Sequence, residues 1–367
     1  MTVVRVPGRV NLIGDHTDYH GGFALPMAID RWCEIEAAPI DAPIGERVVR
    51  GTSAQFDGTV TVPLDAPASV EVDPRTVEPA WGRFVVGAVA ALQEAGVRVA
   101  GTDLAISSTV AAGAGLSSSS ALAVALTLAL GPDRRADVVA RAELARDAEQ
   151  RATGVGIGLM DQLTALAGRA GHALLIDFDT LTMEPVPLPD ELAVLVVHSG
   201  QARSLAGSAY ASRRADGEAV AAQLGLASLR DATIDQVARS PRARHVVREN
   251  ERVLAAVDAL RVGDLRRVGE LMLASHASLR DDYEVSTPEL DSLVNALMRS
   301  GAWGARLTGA GFGGCVVAIA SVRDARDVLA DATAAYGAAT GITASGFVAR
   351  SVDGALTRTG DIHTGDA

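Results

Sequence analysis

The chain has 367 residues, 48% of them hydrophobic, and a formal net charge of −12. That length suits two domains of ordinary size. The acidic balance excludes most nucleic-acid binders, and an aromatic content of 4% argues against stacked carbohydrate platforms.

In chain order, Thr2 to Val6 reads as a strand broken by Pro7-Gly8, and Arg9 to Gly14 as a tight strand or turn. Gly21-Gly22 marks a turn before Phe23 to Ile29; Arg31 to Ala38 and Glu46 to Val60 look like sheet segments. Trp81 to Gln93 places Trp81, Phe84, Val85, Ala88, Val89 and Leu92 at helical spacing. Asp103 to Val110 is a strand leading to a glycine-serine turn, and a helix follows over Ser118 to Leu130. Val110 to Leu130 carries no charge and is long enough to span a bilayer. Its two glycines and four consecutive serines favour a buried helix after a ligand turn instead. Arg134 to Thr153 and Gly158 to Ala167 are helices, and Ala173 to Asp177 is a strand.

The second half opens with the apolar strand Leu192 to His198. Helices are expected over Ser204 to Leu224, Arg242 to Val257, Val262 to Leu279, Pro288 to Ala302 and Ala325 to Tyr336. Gly304 to Gly314 is glycine-rich, Cys315 to Ala320 and Gly346 to Arg350 are strands, and the end from Gly360 is polar and frayed. The expected division is 1–185, 186–352 and a tail at 353–367. Strands and helices mix without regular alternation, so the class is α+β. Cys33 and Cys315 form no metal or disulfide pattern, and Met1 to Arg9 lacks a signal-peptide core. A reducing cytoplasm is the simplest compartment.

Four constellations could carry chemistry. In Gly8-Arg9-Val10-Asn11-Leu12-Ile13-Gly14-Asp15-His16-Thr17-Asp18-Tyr19, Asp and His side chains suit vicinal hydroxyls, as of a polyol; an ordinary turn with an Asp cap is the alternative. In Gly113-Ala114-Gly115-Leu116-Ser117-Ser118-Ser119-Ser120, small residues let backbone N–H groups approach a phosphate at a helix N-terminus. Serine hydroxyls there could also ligate magnesium; a capped core helix is the plainer reading. The chain has no lysine, so a GxxxxGK[ST] loop is impossible. Backbone donors, hydroxyls and arginine would form any triphosphate cradle. Asp161 interrupts an apolar stretch, where a carboxylate is costly unless paired or solvated, or where it caps a helix. By default, Glu149 upstream is a solvated surface residue. Finally, Leu307-Thr308-Gly309-Ala310-Gly311-Phe312-Gly313-Gly314 resembles a dinucleotide loop, but a strand follows it where a helix is required. Close packing beside another site element fits better.

These motifs, in this order, resemble those of the galactokinase family, a branch of the small-molecule kinases that includes homoserine, mevalonate and phosphomevalonate kinases. Gly8 to Tyr19 matches the family's first motif, Gly113 to Ser119 its phosphate loop, and Leu307 to Gly314 its third motif. Trp81 with Phe84, Gly158 to Gln162, Arg242 to Asn250, Ser278 to Tyr283 and Pro288 to Asp291 are similar as well. The resemblance covers about residues 5 to 350. It implies a two-domain kinase fold, with mixed or antiparallel sheets packed against helices and the active site between the domains.

The resemblance further implies transfer of the ATP γ-phosphoryl group to the C1 hydroxyl of a sugar, D-galactose first. Asp161 would be the catalytic aspartate and Arg9 its partner. Asp15, His16, Asp18 and Tyr210 would bind sugar, Asp18 at C3 and C4 and Asp15 at C6. Gly113, Ala114, Gly115, Leu116, Ser117, Ser118 and Ser119 would bind nucleotide, while Ser119 and Glu149 hold Mg2+. Three departures stand out: Asp15 where glutamate is usual, Ala111 where proline is usual, and an altered His198 to Arg203 segment. Asp15 and the altered segment keep another monosaccharide, such as an amino sugar or pentose, as an alternative. A non-catalytic sugar and nucleotide sensor is a second. A cytoplasmic monomer with no nucleic-acid or membrane partner is expected.

Overall fold

The computed structural model describes residues 1–40, 47–65, 73–131, 137–201 and 206–359, without the side chains of 206–210 and 359. The first half contains β1 (Thr2–Asn11), β2 (Phe23–Ala24), β3 (Pro26–Pro39), β4 (Val48–Ser53) and β5 (Thr59–Pro63). These are followed by α1 (Gly82–Glu94), β6 (Thr102–Ser108), α2 (Ser118–Leu130), α3 (Val138–Thr153), α4 (Met160–Ala167), β7 (His172–Asp177) and β8 (Thr182–Pro187). The second half runs β9 (Leu192–His198), α5 (Ala206–Gln223), α6 (Pro241–Arg261), α7 (Leu265–Asp281), α8 (Pro288–Arg299) and β10 (Gly304–Leu307). It closes with β11 (Cys315–Ser321), α9 (Ala325–Thr340), β12 (Ser345–Ala349) and β13 (Leu356–Thr359). This is the mixed α+β architecture expected, with sheets backed by helices.

One sheet has six strands in the order β13-β1-β3-β6-β4-β5, with β4 and β6 its parallel pair. A second has the order β10-β11-β9-β12 and is antiparallel throughout; a third, β2-β7-β8, is smaller. Val6, Ile35, Val85, Leu92, Val124 and Leu126 fill the space between the first sheet and helices α1 and α2. Leu195, Val316, Leu290, Leu297 and Tyr336 do the same for the second sheet with α8 and α9. A third cluster joins the halves: Val10 of β1 and Leu12 just after it pack with Val194, Val317, Val253 and Met272. That shared core places the chain after β1 against α6 and the strands of the second sheet.

Two expectations change. Pro7-Gly8 does not break the first strand: β1 runs through, and the register with β3 shifts there, Pro7 facing Trp32 while Gly8 faces Ile29. The extra β3 residues form a bulge, which tolerates a proline lacking its N–H. The segment expected as a tail from 353 is not loose through 359, because Leu356–Thr359 pairs antiparallel with β1. Residues from Gly360 lie outside the described residues. Among the described residues no helix is long and apolar enough to cross a membrane; the uncharged run resolves into a turn and the 13-residue α2.

Candidate active site

β1 delivers Arg9 to the glycine-serine turn. The Arg9 N–H donates to the Leu116 carbonyl at 3.1 Å, and its Nη1 to the Gly115 carbonyl at 2.7 Å. A side chain at Gly8 would stand 2.8 Å from the Leu116 carbonyl oxygen, so glycine there permits the approach. Gly113, Gly115 and Ser117 take φ of 71°, 85° and 60°. For Ser117 that left-handed conformation is strained, as is common where a loop must aim its groups at a ligand. α2 starts directly after it, adding its N-terminal donors.

Asp161, in the first turn of α4, is gripped from two sides. Arg9 Nε donates to Oδ1 at 2.6 Å, and the Ser117 hydroxyl donates to Oδ2, with Ser120 Oγ at 3.4 Å. The carboxylate faces a cavity of about 260 Å³ that Arg9, Asp15, His16, Asp18, Glu149 and Gly309 also line. Asp18 lies so close to Gly158 that a Cβ there would meet its Oδ2 at 1.7 Å. Burial, and then the neighbouring Asp161 charge, push Asp18 up to about 7. His16, at φ 65°, contacts the Tyr19 hydroxyl through Nδ1 at 2.7 Å, and Tyr19 meets the Tyr283 hydroxyl at 3.0 Å. Burial keeps the His16 imidazole neutral, well below its ordinary pKa.

Asp15 is more engaged than a free sugar ligand. Its Oδ1 accepts the Gly309 N–H at 3.0 Å, and its Oδ2 pairs with Arg306 Nη2 at 2.6 Å. The third motif thus packs on the first, and its Gly309 and Ala310 line the same cavity.

Glu149 on α3 and Ser119 on α2 reach this cavity from the other side. Burial pushes Glu149 up to about 7, partly offset by the Ser119 and Ser120 hydroxyls. Gln162 Nε2 donates to its Oε2 at 2.7 Å, and among the described residues it has no ion pair. A buried carboxylate beside a hydroxyl, both hard oxygen donors, fits Mg2+. No cluster of three or more His, Cys, Asp or Glu suited to a metal occurs among the described residues. Such an ion would therefore take much of its shell from phosphate oxygens and water.

Ser119 also borders a second cavity of about 630 Å³, lined by Ser53, Gln55, Phe56, Trp81, Phe84 and Leu122. It is largely apolar, and Ala111, Ala112 and Ser118, on either side of the turn's glycines, line it as well. The sequence pointed to Trp81 and Phe84 as part of a helix face and of the family resemblance, not as the wall of a cavity. Ser53, Gln55 and Phe56 went unnoticed because β4 and its following loop meet α1 only in three dimensions.

Residues 2–39 match the galactokinase galactose-binding signature, residues 83–169 the GHMP kinases N terminal domain, and residues 256–339 the GHMP kinases C terminal family. A galactokinase from Roseiflexus sp. is 44% identical over 96% of this chain and 92% of its own length. One from Chloroflexus aurantiacus is 42% identical over 98% of this chain and 89% of its own. The chain belongs to the galactokinase family. The galactokinase of Lactococcus lactis, solved with galactose, superposes with a TM-score of 0.88 at 30% identity, covering 96% of this chain and 94% of that one. The mevalonate kinase of Methanococcus jannaschii, at 19% identity and a TM-score of 0.68 over 96% and 98% of the two chains, shares the fold.

Of the galactokinase-family residues expected from sequence, the structure brings Arg9, Asp15, His16, Asp18, Ser119, Glu149 and Asp161 around one cavity. Of the turn at 113–119, Ser118 and Ser119 border the second cavity. Tyr210 falls in α5, but its side chain lies outside the described residues. Arg306, Glu249 and His245 were missed. A lone arginine among the apolar residues of β10 was the one signal for the first of them.

Proposed function

We propose that this chain transfers the γ-phosphoryl group of ATP to the C1 hydroxyl of D-galactose, giving galactose 1-phosphate and ADP. The observation that carries the reading is the Arg9–Asp161 pair at 2.6 Å, set between the glycine-serine turn and a cavity lined by Asp15, His16 and Asp18. One side holds acidic and imidazole acceptors for hydroxyls; the other holds backbone donors for phosphate. Family membership, with 41–44% identity to named galactokinases, points the same way.

In this reading the base enters the apolar cavity beside Trp81 and Phe84, and the 113–119 backbone holds the β and γ phosphates. Asp161 orients the C1 hydroxyl and accepts its proton as the oxygen bonds to γ-phosphorus. The bond from phosphorus to the β–γ bridging oxygen breaks, and its electrons leave with ADP. Arg9 offsets charge on the transferred group. Ser119 and Glu149 would hold Mg2+, which when bound neutralises phosphate charge. Asp18, beside Gly158 in the cavity wall, takes the sugar hydroxyls. The same reading makes the chain a cytoplasmic monomer divided near residue 185.

The test is ADP release over a panel of monosaccharides, with the phosphorylated carbon located by NMR. Galactose should give the highest kcat/KM. A higher value with glucose, N-acetylgalactosamine or arabinose would overturn the substrate and leave the kinase reading standing. The engagement of both Asp15 oxygens favours keeping that second reading in the panel.

A further inference from the structure

We propose that Arg306 is a positioning residue for acceptor binding: its buried guanidinium holds the Asp15 carboxylate in place and, through Asp15, holds the Gly309–Ala310 wall of the acceptor cavity. This rests on the sugar-kinase reading above and extends it to a residue that does not itself line the cavity.

Arg306 is fully buried in β10, flanked by Ala305 and Leu307. A guanidinium in such a place needs carboxylate partners. It has two, Asp15 at 2.6 Å and Glu249 at 3.9 Å. Glu249 is already well supplied, for it accepts the Gly14 N–H at 3.0 Å and the Ser275 hydroxyl at 2.5 Å, and pairs with Arg252 at 2.6 Å. The closer partner of Arg306 is therefore Asp15, whose other oxygen takes the Gly309 N–H at 3.0 Å.

The backbone of Asp15 is fixed as well. His245 Nε2 lies 3.2 Å from the Asp15 carbonyl, and a carbonyl can only accept, so Nε2 carries the proton. Nδ1 then accepts from the Ser278 hydroxyl at 2.9 Å. Three elements of the second half thus converge on one residue of the first: α6 through His245, β10 through Arg306, and the following turn through Gly309. Without Arg306, two carboxylates would share one buried space with the cation between them gone. Asp15 would turn or take up a proton, and its hold on Gly309 would loosen. Arg9 and Asp161 line the same cavity, and the Arg9 charge favours the Asp15 carboxylate, but the hydrogen bonds of the pair run to each other and to the glycine-serine turn rather than to Arg306, Asp15 or Gly309.

A role confined to folding would move both Michaelis constants, or neither, along with the thermal midpoint. Positioning of the acceptor wall moves one. In the full chain, steady-state kinetics would be measured for Arg306→Met, Arg306→Lys, Asp15→Asn and the Arg306→Met/Asp15→Asn pair, together with thermal unfolding. Arg306→Met should raise the galactose KM about tenfold or more and leave the ATP KM within about twofold. Arg306→Lys keeps the charge but not the planar fork, so it should fall between wild type and Arg306→Met. The paired variant should be no worse in galactose KM than the poorer single one, because both changes act through one carboxylate. It should also unfold at a higher temperature than Arg306→Met, since no unpaired Asp15 charge remains. A galactose KM within about twofold of wild type in Arg306→Met, equal rises in both Michaelis constants, or effects that multiply in the pair would each overturn the proposal. Should Arg306→Met not be recovered folded, Arg306→Lys and the pair decide by the same criteria. A wild-type enzyme inactive on galactose would overturn the substrate reading instead, and the acceptor identified by the panel would then be used for the comparison.

Discussion

Replacing Gly158 by alanine separates the site from the scaffold. The added Cβ would stand 1.7 Å from Asp18 Oδ2 and 2.4 Å from its Cγ, where contacts below 3.0 Å are essentially never seen. The backbone at 158 is outside the left-handed region, so alanine brings no conformational strain. Asp18 is the free end of a side chain, and it can yield. It must retreat by about 1.3 Å, and a misplacement of about 1 Å at a reacting site costs on the order of a hundredfold. Gly158→Ala should therefore fold, with stability within about 1 kcal/mol of wild type, while kcat/KM for galactose falls about a hundredfold. The ATP KM should stay within about twofold, because Asp18 lies on the acceptor side. ADP release with each substrate varied in turn, and thermal unfolding, measure all three. A folded variant with galactose kcat/KM within about threefold of wild type would refute the placement of Asp18 in the acceptor site.

Asp161→Asn keeps an oxygen for Arg9 and loses the proton acceptor; kcat should drop about 10²–10⁴-fold with the ATP affinity retained, as read by turnover and nucleotide titration. Gly8→Ala is the mirror of Gly158→Ala: its Cβ would press on the Leu116 carbonyl at 2.8 Å, so the ATP KM should rise about tenfold while the galactose KM holds. Glu149→Gln tests burial and metal together. The folded Glu149 carboxyl titrates near 7 against 4.5 when exposed, so the folded state binds the extra proton and stability falls as pH rises between those values. Thermal scans should show the glutamine variant gaining over metal-free wild type at pH 8 and not at pH 4, while Mg2+ with ATP stabilises wild type more than the variant. For Ser119→Ala, the Mg2+ concentration giving half-maximal rate should rise; an unchanged requirement removes Ser119 from the metal shell.

Residues with a local signature were legible before the structure. α2 spans Ser118–Leu130 as read, because a run of small and aliphatic residues follows a turn opened by two left-handed glycines. Arg9, Asp18 and Asp161 were marked by polar groups set within apolar stretches and by resemblance. What eluded sequence reasoning depends on distant partners. Arg306 acquires meaning only when β10 lies beside the loop after β1, 294 residues from Gly309 back to Asp15. Pro7-Gly8 has the composition of a break, yet the bulge in β3 absorbs it and Gly8 serves the contact with Leu116. Leu356–Thr359 is too short and polar to announce a strand; the free edge of β1 makes it one.

That edge strand has a mechanical meaning. Thr359 pairs with Thr2 and Leu356 with Arg5, so the ladder is antiparallel and its open end holds both residues 2 and 359. A force pulling those two residues apart loads the cross-strand bonds one after another, as a zip opens, rather than all at once in shear. The peel ends at Arg5, opposite Leu356, where β13 begins. Gly8 to Asn11 of the same strand stay laced to β3, so Arg9 keeps its place beside Asp161 while β13 is stripped away. The outer strand acts as a fuse: tension on the two ends of the fold is spent there before it reaches the residue that aligns the phosphate turn.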